Sequence, residues 1–349
     1  MTPSPLTNRL KAHIEAIGPM PLDEFMQYVL YDPDHGYYYQ KIPIGREGDY
    51  ITAPEMTQAF GEVIAIWLID IWEKAGKPTP FHLIELGPGR GTLMADMLKA
   101  FQSLKMPLSE MTVHLMEISP PLKALQQEAL SSFPTSFQWH ENFKTLPGGF
   151  SLIVGNEFWD ALPIVQFTDL MDEKDGFIKR SVGLKDNQLV FLPEQTPVTF
   201  EMGEPAYFYF LAVEISDYLK KNGGAALFLD YGYDDENGAG DTLQAVFRHQ
   251  RCSPLENIGQ ADITHLVDFH NLKIFFGELS VYGPVFQGNF LKTMGLDVRT
   301  ERLCASATPE QRGALRTAAV RLTHPAHMGT LFKVMGVVSD PSLQPSGFS

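Results

Sequence analysis

From Glu85 to Gly91 the chain reads Glu-Leu-Gly-Pro-Gly-Arg-Gly, a spacing that could hold a cationic cofactor. Glycines at alternate positions allow a sharp turn and a close backbone approach to a ligand, because no Cβ stands in the way. A dinucleotide loop of the GxGxxG kind needs glycine where this chain has Thr92. S-adenosylmethionine (SAM) has no pyrophosphate to cradle, but its amino acid end carries an ammonium group. The Glu85 carboxylate could take that group through a charge-assisted hydrogen bond. The loop therefore points to SAM held by Glu85, Gly87, Gly89 and Gly91. A nicotinamide or flavin cofactor and a turn without a ligand are the alternatives.

Further acids follow at the ends of apolar runs. Residues 112–118 read as a strand that carries Glu117, where Rossmann-type folds hold ribose hydroxyls. Asn142, after a third run at 136–140, could reach an adenine edge. A fourth run, 151–155, leads into Asn156-Glu157-Phe158-Trp159-Asp160. Ligands in open α/β sheets bind beyond the carboxyl ends of the strands, which assigns Asn156 to the cofactor. Glu157 and Asp160, three residues apart on a starting helical turn, would project to one side. The plainer alternative is a helix start whose acids are favoured by the dipole. Thr52-Ala53-Pro54-Glu55 is another helix start, and it brings a third acid, Glu55, to a loop that could fold over the cofactor. His249, His265 and His270 with Asp262 and Asp268 fit no standard metal spacing, so no metal is expected.

These residues need a strand, a glycine turn and a helix to position them. Residues 81–86, the glycines, and Leu93, Met94, Met97 and Leu98 at helical spacing supply that unit. The expected fold class is α/β, a Rossmann-like sheet with a helical N-terminal extension and insertions. Residues 1–76 form the extension and the cofactor-covering loop, and 77–338 the core. Short alternating strands mark a β-rich insertion at about 164–205, with a turn at Asp175-Gly176, and a second insertion spans about 233–290. Residues 225–232 read as a fifth core strand, and 295–303 and 330–338 as two closing strands. The Pro/Ser-rich end, 339–349, is expected to fray.

Composition narrows the function. With 349 residues, 44% of them hydrophobic and 20% charged, the chain can bury a large core as an ordinary globular protein. A net charge of −15 argues against sequence-independent nucleic-acid binding. Cys252 and Cys304, the whole cysteine complement, make neither a disulfide framework nor a zinc motif. No run of about 18 apolar residues predicts a membrane span. Without a signal-peptide core or a basic leader, the cytoplasm is the expected compartment.

The stretches GDYITAPEMTQAFGE, ELGPGRGTL, GNEFWDALPIVQF, DYG with GDTLQAV, ADITHLVDF and GNFLKTMGLDVR together resemble the MidA family of SAM-dependent methyltransferases. They run in order over nearly the whole chain. The resemblance implies a class I methyltransferase sheet and SAM as cofactor. From the family's mitochondrial branch it also implies arginine methylation of a protein, a respiratory complex I subunit, as part of complex I assembly. A protonated guanidinium, with a pKa above about 12, is a poor nucleophile. Carboxylates must orient its planar fork and hold one nitrogen in line with the methyl group. Glu157 and Asp160 are the first candidates for that clamp and Glu55 the third. Two other functions stay open: an assembly factor that keeps the SAM fold to hold a partner, and a small-molecule methyltransferase.

Overall fold

The run FHLIEL folds as strand β1 (Phe81–Leu86), with Phe81, Leu83, Ile84, Glu85 and Leu86 buried, as suits a central strand of a parallel sheet. A computed structural model describes β1 and the rest of residues 4–40, 52–172, 176–203 and 208–348. The covering-loop residues 45–51 and the expected Asp175-Gly176 turn lie at least partly outside the described residues. The chain divides into two compact units, a sheet unit (Ile51–Phe158, Ala212–Gly232, Lys273–Ser349) and a composite unit (Met1–Tyr50, Trp159–Leu211, Tyr233–Leu272).

In the sheet unit, β2 (Met111–Met116), β3 (Ser136–His140), β4 (Ser151–Asn156), β5 (Gly224–Tyr233), β6 (Ser280–Phe286) and β7 (Phe332–Val338) join β1 in the order β6-β7-β5-β4-β1-β2-β3. Strands β1 to β5 pair in parallel, and β7 runs antiparallel to both its neighbours. β1 thus lies between β4 and β2, where the strand order reverses and a ligand crevice opens beyond the carboxyl ends. Helix α1 (Gln58–Lys74) starts at Thr57, whose Oγ1 accepts the Ala59 N–H at 3.2 Å. It buries Phe60, Val63, Ile64, Trp67, Leu68 and Ile71, each worth roughly 1.5–3 kcal/mol. Helices α2 (Thr92–Ser103) and α3 (Pro120–Leu130) follow β1 and β2. Across the sheet, His82 Nδ1 pairs with His114 Nε2 and His114 Nδ1 with His140 Nε2, both at 2.9 Å. Burial, reinforced by the two neighbouring rings, pushes His114 down to about 3, so it stays neutral.

Two expectations fail in this unit. Residues 295–303 are not a strand but part of a helix, Leu296–Ser306, because Leu296, Thr300 and Cys304 recur at four-residue spacing and bury one face. The antiparallel partner of β7 is instead β6, with Tyr282 opposite Gly336. The tail does not fray. Pro341–Leu343 forms a short 3₁₀ turn, Trp67 Nε1 donates to the Ser346 carbonyl at 3.1 Å, and the Phe348 ring lies 5.4 Å from Phe290. Its prolines and serines make turns between two apolar anchors, Leu343 and Phe348.

The composite unit gathers the N-terminal helices Pro5–Ile17 and Leu22–Tyr31 with the first insertion and residues 233–272 of the second, whereas 273–290 belong to the sheet unit and supply β6. Leu6, Leu10, Ile14, Phe25 and Met26 share one apolar cluster with Ile164, Val182, Ala245 and Ile263. Three small sheets complete it, and Met20–Pro21 pairs with Ser181–Lys185 across a long sequence gap. Among the described residues no helix is long and apolar enough to cross a membrane.

Candidate active site

Gly87, Gly89 and Gly91 all take left-handed backbone, with φ of 60°, 54° and 80°. Only glycine adopts a run of this kind without strain. The turn is closed by Gly87 N–H to the Met116 carbonyl (3.1 Å) and Gly91 N–H to the Pro88 carbonyl (2.8 Å). Thr92, in place of the third dinucleotide glycine, donates its hydroxyl to the Glu55 carboxylate. Glu55 therefore braces the start of α2 from the Ala53–Met56 turn, which begins after Thr52 as expected.

The acids at the strand ends differ in what they hold. Glu85 is buried, and its Oε2 has no hydrogen-bond partner among the described residues. Burial, with the charge of Glu117 second, pushes the Glu85 carboxyl up to about 8. Asn156, at the end of adjacent β4, is buried too, and its Oδ1 likewise lacks a partner. A buried acceptor without a donor costs about 1–3 kcal/mol. Two of them at neighbouring strand ends would suit a cationic or multiply protonated donor. Glu117 is nearly saturated by comparison. Its Oε1 accepts from Ile118 N (2.9 Å) and Ser119 N (2.8 Å), and its Oε2 from Gln126 Nε2 (3.0 Å). Burial raises the Glu117 carboxyl, and these donors pull it back. Asn142 lies beyond the end of β3 and is exposed.

After β4 the backbone departs from regular structure. Glu157 has φ of 48°, a costly conformation for a residue with a Cβ, and its N–H donates to the Leu229 carbonyl at 2.8 Å. Its Oε1 accepts from Ala53 N and from Asn156 Nδ2, both at 3.3 Å. Phe158 N–H is held by Oδ2 of fully buried Asp230 at 3.1 Å, and a Cβ on Gly87 would come within 2.9 Å of the Phe158 ring. The starting helical turn expected for Glu157 and Asp160 therefore does not form, since left-handed Glu157 breaks it. A 3₁₀ turn begins only at Trp159. Asp160 belongs to the composite unit, where it is buried and its carbonyl accepts the His265 N–H at 3.1 Å. His265 also contacts the Leu162 carbonyl at 3.1 Å, and Tyr31 Oη donates to the Ala161 carbonyl at 2.9 Å. Among the described residues no group of three or more His, Cys, Asp or Glu side chains could hold a metal ion.

Sequence reasoning missed Thr92 as a brace, Asp230 as the anchor of the Phe158 turn, and Gln126. Asp230 had a signal: it is an acid at the end of an apolar strand. Gln126 had a fainter one, a polar side chain between Leu122 and Leu130 on the buried stripe of α3.

The strand order, the left-handed glycine turn and the unsatisfied acceptors of Glu85 and Asn156 define an α/β methyltransferase that uses SAM. SAM fits these residues, because its ammonium supplies the donors that Glu85 and Asn156 lack and its ribose hydroxyls suit Glu117. The chain belongs to the family described as "Putative S-adenosyl-L-methionine-dependent methyltransferase", whose model matches residues 63–285. It is 36% identical to the Drosophila melanogaster protein named protein arginine methyltransferase NDUFAF7 homolog, mitochondrial, over 95% of this chain and 84% of that one. The human protein arginine methyltransferase NDUFAF7, mitochondrial, is 32% identical over 98% of this chain and 85% of its own. A solved Burkholderia thailandensis structure bound to S-adenosyl-homocysteine matches with a TM-score of 0.79 and 25% identity, covering 99% of this chain and 98% of that one. The MidA-type resemblance and SAM as cofactor are thereby borne out. The cytoplasmic expectation is overturned, because these relatives are named as mitochondrial proteins.

Proposed function

We propose that this protein methylates arginine side chains of a protein, with Glu157 and Glu55, both in the sheet unit, as the acids that serve the acceptor. The observation that carries the reading is the agreement of two lines. Relatives named protein arginine methyltransferase align over nearly the full chain, and the glutamate after β4 is held in strained backbone. A non-glycine residue at positive φ costs roughly 1–3 kcal/mol and clusters at functional sites. In this assignment Glu85, Gly87, Gly89, Gly91, Glu117, Asn142 and Asn156 bind the cofactor. SAM, when bound, supplies a methyl carbon on a sulfonium: the guanidino nitrogen forms the N–C bond, sulfur keeps the electron pair of the broken C–S bond, and the nitrogen loses a proton.

The residues of this chain supply orientation and charge. A carboxylate at Glu157 accepts two N–H groups of the planar fork and draws positive charge toward itself, away from the attacking nitrogen. Ala53 N–H donates to that carboxylate at 3.3 Å and fixes its orientation, and Glu55, held by Thr92, adds an acid from the same segment. The target that the family resemblance raises is a subunit of respiratory complex I.

The test is transfer from methyl-labelled SAM into an extract of cells lacking this protein, read by mass spectrometry at arginine. Label on protein arginine that Glu157→Gln lowers by about 100-fold, the scale for one preorganised electrostatic contact, supports the reading. Label confined to small molecules, or partner binding with no label on protein, overturns it.

A further inference from the structure

Gln126 has no exposure to solvent, yet its amide is fully engaged. Nε2 donates to the Gly89 carbonyl at 2.7 Å and to Glu117 Oε2 at 3.0 Å. Oε1 accepts from Trp139 Nε1 at 2.8 Å. One planar group therefore ties together the glycine turn after β1, the acid after β2 and an indole on β3. The position itself asks for an apolar residue, since Leu122 and Leu130 flank it on the buried stripe of α3. A leucine would pack there without the cost of burying an amide. What it could not supply is two N–H groups at a fixed angle.

Those two bonds act on different parts of the cofactor site. Glu117 Oε1 is already occupied by Ile118 N and Ser119 N, so the bond to Oε2 fixes the remaining rotation of the carboxylate. The bond to Gly89 holds the middle glycine of a turn whose left-handed residues are intrinsically loose. We propose that Gln126 is a positioning residue that sets the Glu117 carboxylate and the Gly89 carbonyl together, so that the ribose acid and the glycine turn form as one piece. The inference rests on Glu117 as the ribose-binding group.

The experiment measures SAM affinity by calorimetry from pH 6 to 8.5 for the unaltered protein and for Gln126→Met, Gln126→Glu and Glu117→Ala. Gln126→Met keeps the volume, removes both donors and should weaken SAM at least tenfold. Gln126→Glu gives a more specific sign. At pH 8.5 its carboxylate faces Glu117 with no donor, and affinity should fall at least 30-fold below the unaltered protein. At pH 6 the two carboxyls share one proton, which restores a donor to Glu117, and the gap should close to a few-fold. A role in packing alone would leave that ratio constant. Normal affinity in Gln126→Met, or a pH-independent ratio in Gln126→Glu, overturns the inference if Glu117→Ala is itself weakened. Unchanged affinity in Glu117→Ala overturns both the inference and the ribose assignment beneath it.

Discussion

At the ends of β1 and β2 the acids continue regular strand backbone, whereas Glu157 after β4 is held at a φ of 48° and needs Leu229, Ala53 and Asp230 around it. The cofactor side is built from generic parts: a buried strand, left-handed glycines and a helix start. Its unusual feature is electrostatic: the buried acceptors Glu85 Oε2 and Asn156 Oδ1 have no donor among the described residues. At Glu157 the roles are reversed. There the charge is satisfied and the strain is in the backbone. A site that waits for a ligand's donors should respond to pH and to lost charge through binding. A site preset by strain should respond through turnover.

The largest effect expected on the cofactor side comes from Gly89→Val. A β-branched residue at a φ of 54° distorts the turn, and the Gly89 carbonyl then leaves Gln126. Calorimetry should find no SAM binding, while circular dichroism still reports a folded protein. Normal affinity would remove the turn from the site. Next in size is Glu117→Ala, which should weaken SAM by roughly 2–4 kcal/mol, as for losing charge-assisted hydrogen bonds to a buried carboxylate. Turnover at saturating SAM should change far less than affinity does.

Glu157→Gln should reverse that pattern. The amide keeps the volume and can still accept from Ala53 N, so SAM affinity should stay within a few-fold. Methyl transfer at saturating SAM should drop on the order of 100-fold. If affinity falls and turnover does not, Glu157 belongs to the cofactor side and the contrast drawn here collapses.

This contrast was only half legible in the sequence. Alternate glycines after an apolar run specify a turn locally, so Glu85 to Gly91 could be read without any tertiary information, and Glu117 followed from strand spacing. Positive φ at Glu157 could not be read, because no glycine or asparagine marks it and the cause lies in Leu229 and Asp230, more than 70 residues away. The composite unit was harder still. Its apolar cluster joins Leu6 and Phe25 to Ile164, Val182 and Ala245, from three separate stretches of chain. Periodicity finds each stripe but not its partner, so the N-terminal helices and the two insertions looked like separate additions. The helix at Leu296–Ser306 hides for a simpler reason: β-branched Val298 suits a strand, but it is exposed, and the buried positions are Leu296, Thr300 and Cys304.

The smallest effect bears most directly on Glu85. Burial and the Glu117 charge raise its carboxyl to about 8, so in the cofactor-free protein Glu85 is largely protonated at neutral pH. A cationic ligand end selects the ionised form, and binding must then expel a proton. The sign follows: SAM affinity rises with pH, by up to tenfold per unit between pH 6 and about 8. Above that the ligand's own amino group, with a pKa near 8, begins to lose its charge, and the profile should turn over. Calorimetry in buffers of different ionisation enthalpy should register close to one proton released at pH 7. Glu85→Gln should bind more weakly but with a flat profile. Methylthioadenosine, which keeps adenine and ribose but lacks the amino acid end, distinguishes the two buried acids. No rise for this ligand assigns the proton to Glu85, whereas an equal rise transfers it to Glu117. A flat profile for SAM itself would mean that the Glu85 carboxylate does not meet the ammonium at all, and the unsatisfied oxygen would need another donor.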